Sequence, residues 1–182
     1  MLAYLQGLSL GLAYVAPIGV QNLFVINAGL SQPRAAASRT SLIVIFFDVT
    51  LALAGFFGIG ALIEHSELIR KGVLLAGSLV VMYMGLRLML SREVAGPAIN
   101  VNIPLMKTIG MACVVTWFNP QAIIDVSLLL GSFRAALPPE ESGLFLWGVV
   151  CASCLWFLSL TTISSLFKKR FTPRLLRIIN LV

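Results

Sequence analysis

Two carboxylates stand in otherwise apolar surroundings: Asp48, in Phe46-Phe47-Asp48-Val49, and Asp125, in Ile123-Ile124-Asp125-Val126. In stretches long enough to cross a bilayer, an ionised side chain near the midplane costs about 2.5–3.5 kcal/mol on insertion scales, so it faces a partner or a wet cavity. Each acid can serve as an interhelical hydrogen bond, or as a site for a cationic substrate or a proton. No Lys or Arg lies deep in an apolar stretch to neutralise either one, which favours the second chemistry.

Two prolines also fall near mid-stretch. Pro17 lies in Ala16-Pro17-Ile18-Gly19-Val20-Gln21-Asn22, and Pro120 in Trp117-Phe118-Asn119-Pro120-Gln121. Proline removes a backbone donor and clashes with the preceding turn, which frees carbonyls. Within a membrane such groups are tolerated only when buried in protein or lining a wet cavity. A simple kink meets that condition, and so does a polar binding region. Amides beside each break, Gln21 and Asn22 at the first and Asn119 and Gln121 at the second, point to binding. The candidate substrate and proton site is therefore Asp48, Asp125, Gln21, Asn22 and Asn119.

The chain that must position these groups has 182 residues, of which 59% are hydrophobic and 11% charged. A soluble domain carries roughly 25% charge. Each spanning helix needs about 20 apolar residues, so the length allows five or six spans and almost nothing outside the bilayer. The composition implies an all-α, polytopic helical membrane protein, a single transmembrane domain over 1–182. It excludes a soluble enzyme, a nucleic-acid binder and a secreted disulfide scaffold. Apolar blocks separated by charge predict helices over about 2–30 (broken at Pro17), 41–63, 72–90, 108–132 and 143–167. A sixth begins at 174–182 and is too short to cross.

Charge gives the expected orientation. Ten basic residues follow the first, third and fifth helices, counting Arg87 at the end of the third: Arg34, Arg39, Arg87, Arg92, Lys107, Lys168, Lys169, Arg170, Arg174 and Arg177. Only Arg70, Lys71 and Arg134 lie on the other side, beside Glu64, Glu67, Glu140 and Glu141. By the positive-inside rule the first set is cytoplasmic, and the N-terminus is outside, which in a bacterial inner membrane means periplasmic. Pro17 and Pro120 each lie in the first helix of a three-helix unit. An odd-numbered unit inserts its second copy upside down, so the layout is an inverted 3+3 repeat with a truncated sixth helix. Broken helices at matching positions of inverted halves point to a transporter site near the midplane.

Other features carry blander readings. Cys151 and Cys154 form a C-x-x-C, but inside an apolar helix they read as small packing residues rather than a redox pair. His65 sits in a polar loop as a solvated residue, and Arg87 snorkels to the interface. With no His in a span, neither metal nor cofactor is expected. Gly7 and Gly11 make a G-x-x-x-G, and Gly55, Gly58 and Gly60 cluster in the second helix. Such residues let backbones approach, either within one chain or between protomers of a homo-oligomer.

At these residues the chain resembles the LysE-type amino-acid exporter family, especially its arginine-exporting branch. The family's first break is matched by Pro17, Gly19, Gln21 and Asn22, and its second, T-W-x-N-P, by Thr116, Trp117, Asn119 and Pro120. Further matches are Asp48, Asp125, Leu130-Gly131-Ser132, Ala152-Ser153 with Leu155-Trp156-Phe157, and Arg177-Ile178-Ile179-Asn180. This chain has Val20 where many members have a second proline. Similar proteins continue into a complete sixth helix, so a natural extension of at least about 12 apolar residues is expected.

The resemblance implies a non-enzymatic secondary exporter of basic amino acids, arginine first and lysine second, in the bacterial inner membrane. Moving a cation out against an inside-negative potential costs about 2.3 kcal/mol per 100 mV, so protons are the expected exchange partner. The rivals are an exporter of neutral amino acids such as homoserine or threonine, and a passive channel. The partners are thus a small cationic amino acid, protons and the bilayer, with no nucleic acid.

Overall fold

The computed structural model describes residues 1–58, 71, 75, 82 and 104–168. All the regular structure among them is helical, in the order α1 (Leu2–Val15), α2 (Val20–Ser31), α3 (Arg34–Phe56), α4 (Leu105–Trp117), α5 (Pro120–Ala136) and α6 (Ser142–Phe167), with a 3-10 turn at Pro139–Glu141 before α6. Two helical segments, Arg34–Phe56 and Pro139–Phe167, are each long and apolar enough to cross a membrane. Two bent pairs, α1 with α2 and α4 with α5, reach that standard together. The expected helix over 72–90 lies outside the described residues apart from Leu75 and Met82, which are helical. His65, Arg87, Gly60 and the expected sixth-helix start at 174–182 lie outside them altogether.

The first apolar block is two helices bent by 81°. Pro17 offers no N–H to the Ala13 carbonyl, so α1 cannot continue. Gly19 then turns extended and α2 starts at Val20. The second break follows the same chemistry at 60°. There α4 ends with Phe118, whose N–H reaches the Val114 carbonyl at 3.1 Å, and Pro120 opens α5, a position where its missing donor costs nothing.

The second expected helix, 41–63, is displaced. Helix α3 begins at Arg34, directly after Pro33, and ends at Phe56. Its early start takes in Ala35–Ala37 and two arginines whose stems can lie along apolar surface. Its early end is set by Gly58, whose φ of 100° is the left-handed conformation that closes helices. Gly58 is thus a helix stop, where the sequence suggested a packing residue.

Helix α6 is the hub, packing against α1, α2 and α3, while α3 also meets α4 and α5. The α1–α6 seam is backbone against backbone. A Cβ on Gly7 would lie 2.0 Å from the Phe145 oxygen, one on Gly148 2.2 Å from the Tyr4 oxygen, and one on Gly11 2.6 Å from the Ala152 Cβ. The G-x-x-x-G of α1 therefore packs within this chain, against Gly148 and Ala152 on α6. Gly55 likewise admits Val126 of α5, whose Cγ1 lies 2.3 Å from the Cβ position. At one end of the bundle Phe145 stacks between Phe56 and Phe133, at 5.5 and 5.7 Å. Arg134 caps that stack, 5.6 Å above the Phe56 ring. At the other end Lys168 donates to the Ser31 and Gln32 carbonyls at 3.2 and 3.0 Å, closing the C-terminus of α2.

Candidate functional site

Asp48 is 1% exposed, in the middle of α3. Three neutral donors from three other helices converge on it. Tyr14 Oη of α1 donates to Oδ2 at 2.7 Å, Ser153 Oγ of α6 to the same oxygen at 2.5 Å, and Gln21 Nε2 of α2 to Oδ1 at 3.2 Å. Tyr14 Oη and Ser153 Oγ are themselves 3.3 Å apart. Charge-assisted bonds to neutral donors are what hold a carboxylate to which no cation is bonded among the described residues.

Seam and break together produce this convergence. Tyr14 reaches Asp48 because α1 lies directly on α6, and Ser153 follows Ala152, the residue that meets Gly11. Gln21 reaches Asp48 because α2 begins at Val20 and turns its first turn toward α3.

Asn22, the next residue, holds the break itself. Its Nδ2 donates to the Val15 carbonyl at 2.9 Å and the Pro17 carbonyl at 2.7 Å. Its Oδ1 accepts from Trp156 Nε1 of α6 at 3.0 Å. Both amide protons are spent on carbonyls that the break exposes, so in this conformation Asn22 is a clasp across Pro17.

The two breaks adjoin. A methyl placed on Gly19 would lie 3.9 Å from Asn119 Nδ2, with no nearer neighbour. Asn119 opens the turn before Pro120, and its carbonyl accepts from the Ile123 N–H at 3.1 Å. Trp117 ties this second break to α3, donating from Nε1 to Thr50 Oγ1 at 3.2 Å, while Thr50 donates to the Phe47 carbonyl at 2.7 Å. Thr116 is fully buried, and its Oγ1 has no hydrogen-bond partner. That makes it the one such side-chain atom among the described residues. A buried hydroxyl left without a bond carries a cost of about 1–3 kcal/mol.

Asp125 stands apart from Asp48. It is half-buried on α5 and supplies none of the bonds that Asp48 accepts. Its neighbour Val126 packs into Gly55, seven residues beyond Asp48 on α3, which is about 10 Å at 1.5 Å per residue. Of the expected site residues, then, Gln21 and Asp48 touch, Asn22 braces the turn beside them, Gly19 and Asn119 adjoin, and Asp125 lies at another level. Sequence reasoning passed over Tyr14 and gave Ser153 no role. A tyrosine in a lipid-like helix, whose hydroxyl needs a buried partner, was the available signal.

The comparisons with known proteins cover the same stretch of the chain. The family model described as LysE type translocator matches residues 12–182, a span that holds both breaks and Asp48. The chain belongs to the LysE type translocator family. It is 33% identical over 190 residues to the arginine exporter protein ArgO of Escherichia coli strain K12, covering 98% of this chain and 86% of that one. With the arginine exporter protein ArgO of Pectobacterium atrosepticum the identity is 31% over 182 residues, covering 97% and 88%. No solved structure matches the chain.

Proposed function

We propose that this LysE-family chain is a secondary exporter of basic amino acids, arginine first and lysine second, working across the bacterial inner membrane by exchange for protons. The observation that carries the reading is the near full-length similarity to proteins named arginine exporters. Two membrane carboxylates suit it physically. A guanidinium and a proton are both cations, and exchanging one for the other removes the cost of about 2.3 kcal/mol per 100 mV that unaccompanied arginine would meet.

In this reading Asp125 and Asn119 meet the substrate, while Asp48 takes part through its charge. Gln21 and Asn22 act by holding the first break in shape, with Pro17, Gly19 and Pro120 setting the two bends. The domain is one transmembrane unit over 1–182 in an inverted layout, with a periplasmic N-terminus.

The test is efflux of labelled arginine, lysine and threonine from cells lacking other exporters, with and without the full-length gene. Arginine efflux should rise several-fold and threonine efflux should stay flat. Asp125→Asn should remove at least about nine-tenths of arginine efflux, equivalent to 1.4 kcal/mol or more, at unchanged membrane abundance. Threonine efflux in place of arginine efflux would assign the neutral substrate. Flux indifferent to the proton gradient would assign a channel.

A further inference from the structure

We propose that Tyr14, Ser153 and Asp48 form a closed ring of three oxygens that stores the exchanged proton, with Tyr14 and Ser153 as its positioning residues. The inference rests on the exchange reading above and assigns the proton to one acid and the substrate to elsewhere.

The ring has three edges: Ser153 Oγ to Asp48 Oδ2 at 2.5 Å, Tyr14 Oη to Oδ2 at 2.7 Å, and Tyr14 Oη to Ser153 Oγ at 3.3 Å. With Asp48 anionic, the ring holds two protons. Both hydroxyls point at Oδ2, and the third and longest edge is idle. A proton taken from water forms an O–H bond at Oδ2, and the carboxylate becomes a neutral acid. That acid donates to Ser153 Oγ, Ser153 turns its own proton toward Tyr14 Oη, and Tyr14 still donates to Oδ2. Three protons now fill three edges. Release to water reverses the rotation.

No heavy atom has to move, and neither state leaves a hydroxyl unpaired, which elsewhere in a protein interior costs about 1–3 kcal/mol. Gln21 keeps Oδ1 throughout, but its bond is charge-assisted only while Asp48 is anionic. The grip of α3 on the first turn of α2 therefore strengthens and weakens with the proton.

Space decides between proton and substrate. Asp48 is 1% exposed, and its oxygens already meet three side chains. A guanidinium presents five N–H donors in a rigid plane and needs an open face that this carboxyl lacks. A proton needs none. Among the described residues, the groups bonded to Asp48 leave it the only acid in the ring. Helix α1 contributes Tyr14, α2 the neutral Gln21, and α6 Ser153, which the thiol of Cys154 follows in the chain. Neither Cys113 of α4 nor Asp125 of α5 is bonded to it.

The test uses the full-length protein in phospholipid vesicles, reading arginine flux and proton flux together across a pH series. Tyr14→Phe and Ser153→Ala should each displace the midpoint of the pH profile by about one unit, a tenfold change in proton affinity. Both should also lower the protons moved per arginine. Ser153→Thr, which keeps the hydroxyl, should restore both quantities. Melting curves identify a variant that fails to fold, in which case the other one decides. A wild-type profile and wild-type coupling in the folded variants would overturn the ring while leaving exchange intact. Arginine flux without proton flux in the wild type would overturn the exchange reading and the ring with it.

Discussion

The two breaks interrupt their helices by the same device, a proline with no N–H to give, and are finished in opposite ways. At the first, Asn22 takes two exposed carbonyls, Trp156 holds Asn22, and Gln21 continues the network to Asp48. At the second, α4 is pinned from outside by Trp117 on Thr50, while the buried Thr116 hydroxyl is left without a bond. A break costs carbonyls in a medium without water. One break meets part of that cost from its own sequence, through an amide seven and five residues from the carbonyls it holds. The other retains an unmet polar group beside the turn. A turn clasped across two of its carbonyls is suited to hold geometry, and a turn with an open hydrogen bond beside it is suited to receive something.

The most damaging change should strike the seam from which the first break hangs. A Cβ on Gly148 would lie 2.2 Å from the Tyr4 oxygen and 2.6 Å from the Leu8 nitrogen, both backbone atoms that cannot step aside. Gly148→Leu should cost at least about 3 kcal/mol, the upper part of the overpacking range, and remove most folded protein from the membrane. Gly19→Ala is the contrast, because its nearest neighbour is 3.9 Å away. Its melting temperature should barely move, since changes away from tight contacts fall within about 0.5 kcal/mol. Equal losses in the two variants would mean that the seam is not what carries the first break.

Next comes the clasp. Asn22→Ala deletes three hydrogen bonds at once, and bonds between membrane helices average about 0.6 kcal/mol each. The expected loss is therefore about 2 kcal/mol. Trp156→Phe deletes only the bond to Oδ1 and should cost about a third of that. Denaturation in mild detergent would rank the two. If Trp156→Phe proved as costly as Asn22→Ala, the carbonyl bonds would be ornamental and the first break no better finished than the second.

Much of this layout was legible in the sequence, because what sets it is local. Proline chemistry places both breaks, and lipid-like composition gives the helical class. The ends of α3 were less legible. A rule that stops helices at charge cuts off Arg34–Thr40, although arginine stems lie comfortably on a helix that continues past the apolar core. The network around Asp48 was out of reach for another reason. Tyr14 and Ser153 are 34 and 105 residues from it, and they meet it only because Gly7 and Gly11 select Gly148 and Ala152 as their partners. A G-x-x-x-G announces a close approach without naming the other side. That the apparent pair of acids occupies two levels of α3 is again a matter of packing, set by Val126 in the notch at Gly55.

The smallest effect on stability should come from the second break, and its sign is the informative part. Thr116 and valine have nearly the same shape, so Thr116→Val removes a buried hydroxyl without opening a cavity. Replacing a satisfied hydroxyl would destabilise the protein. Replacing this one removes an unmet donor and acceptor, so the folded state should gain about 1 kcal/mol, the low end of the desolvation cost. If the hydroxyl is kept because an exported amino acid bonds to it, arginine efflux should fall several-fold in the same variant. Stability and activity would then move in opposite directions, the pattern expected where a site retains strain for its work. Thr116→Ser, which keeps the hydroxyl, should hold efflux near the wild-type rate. A Thr116→Val variant that is both more stable and fully active would remove Thr116 from the site. A less stable one would mean that the hydroxyl is bonded in the membrane, and the contrast between the two breaks would fail.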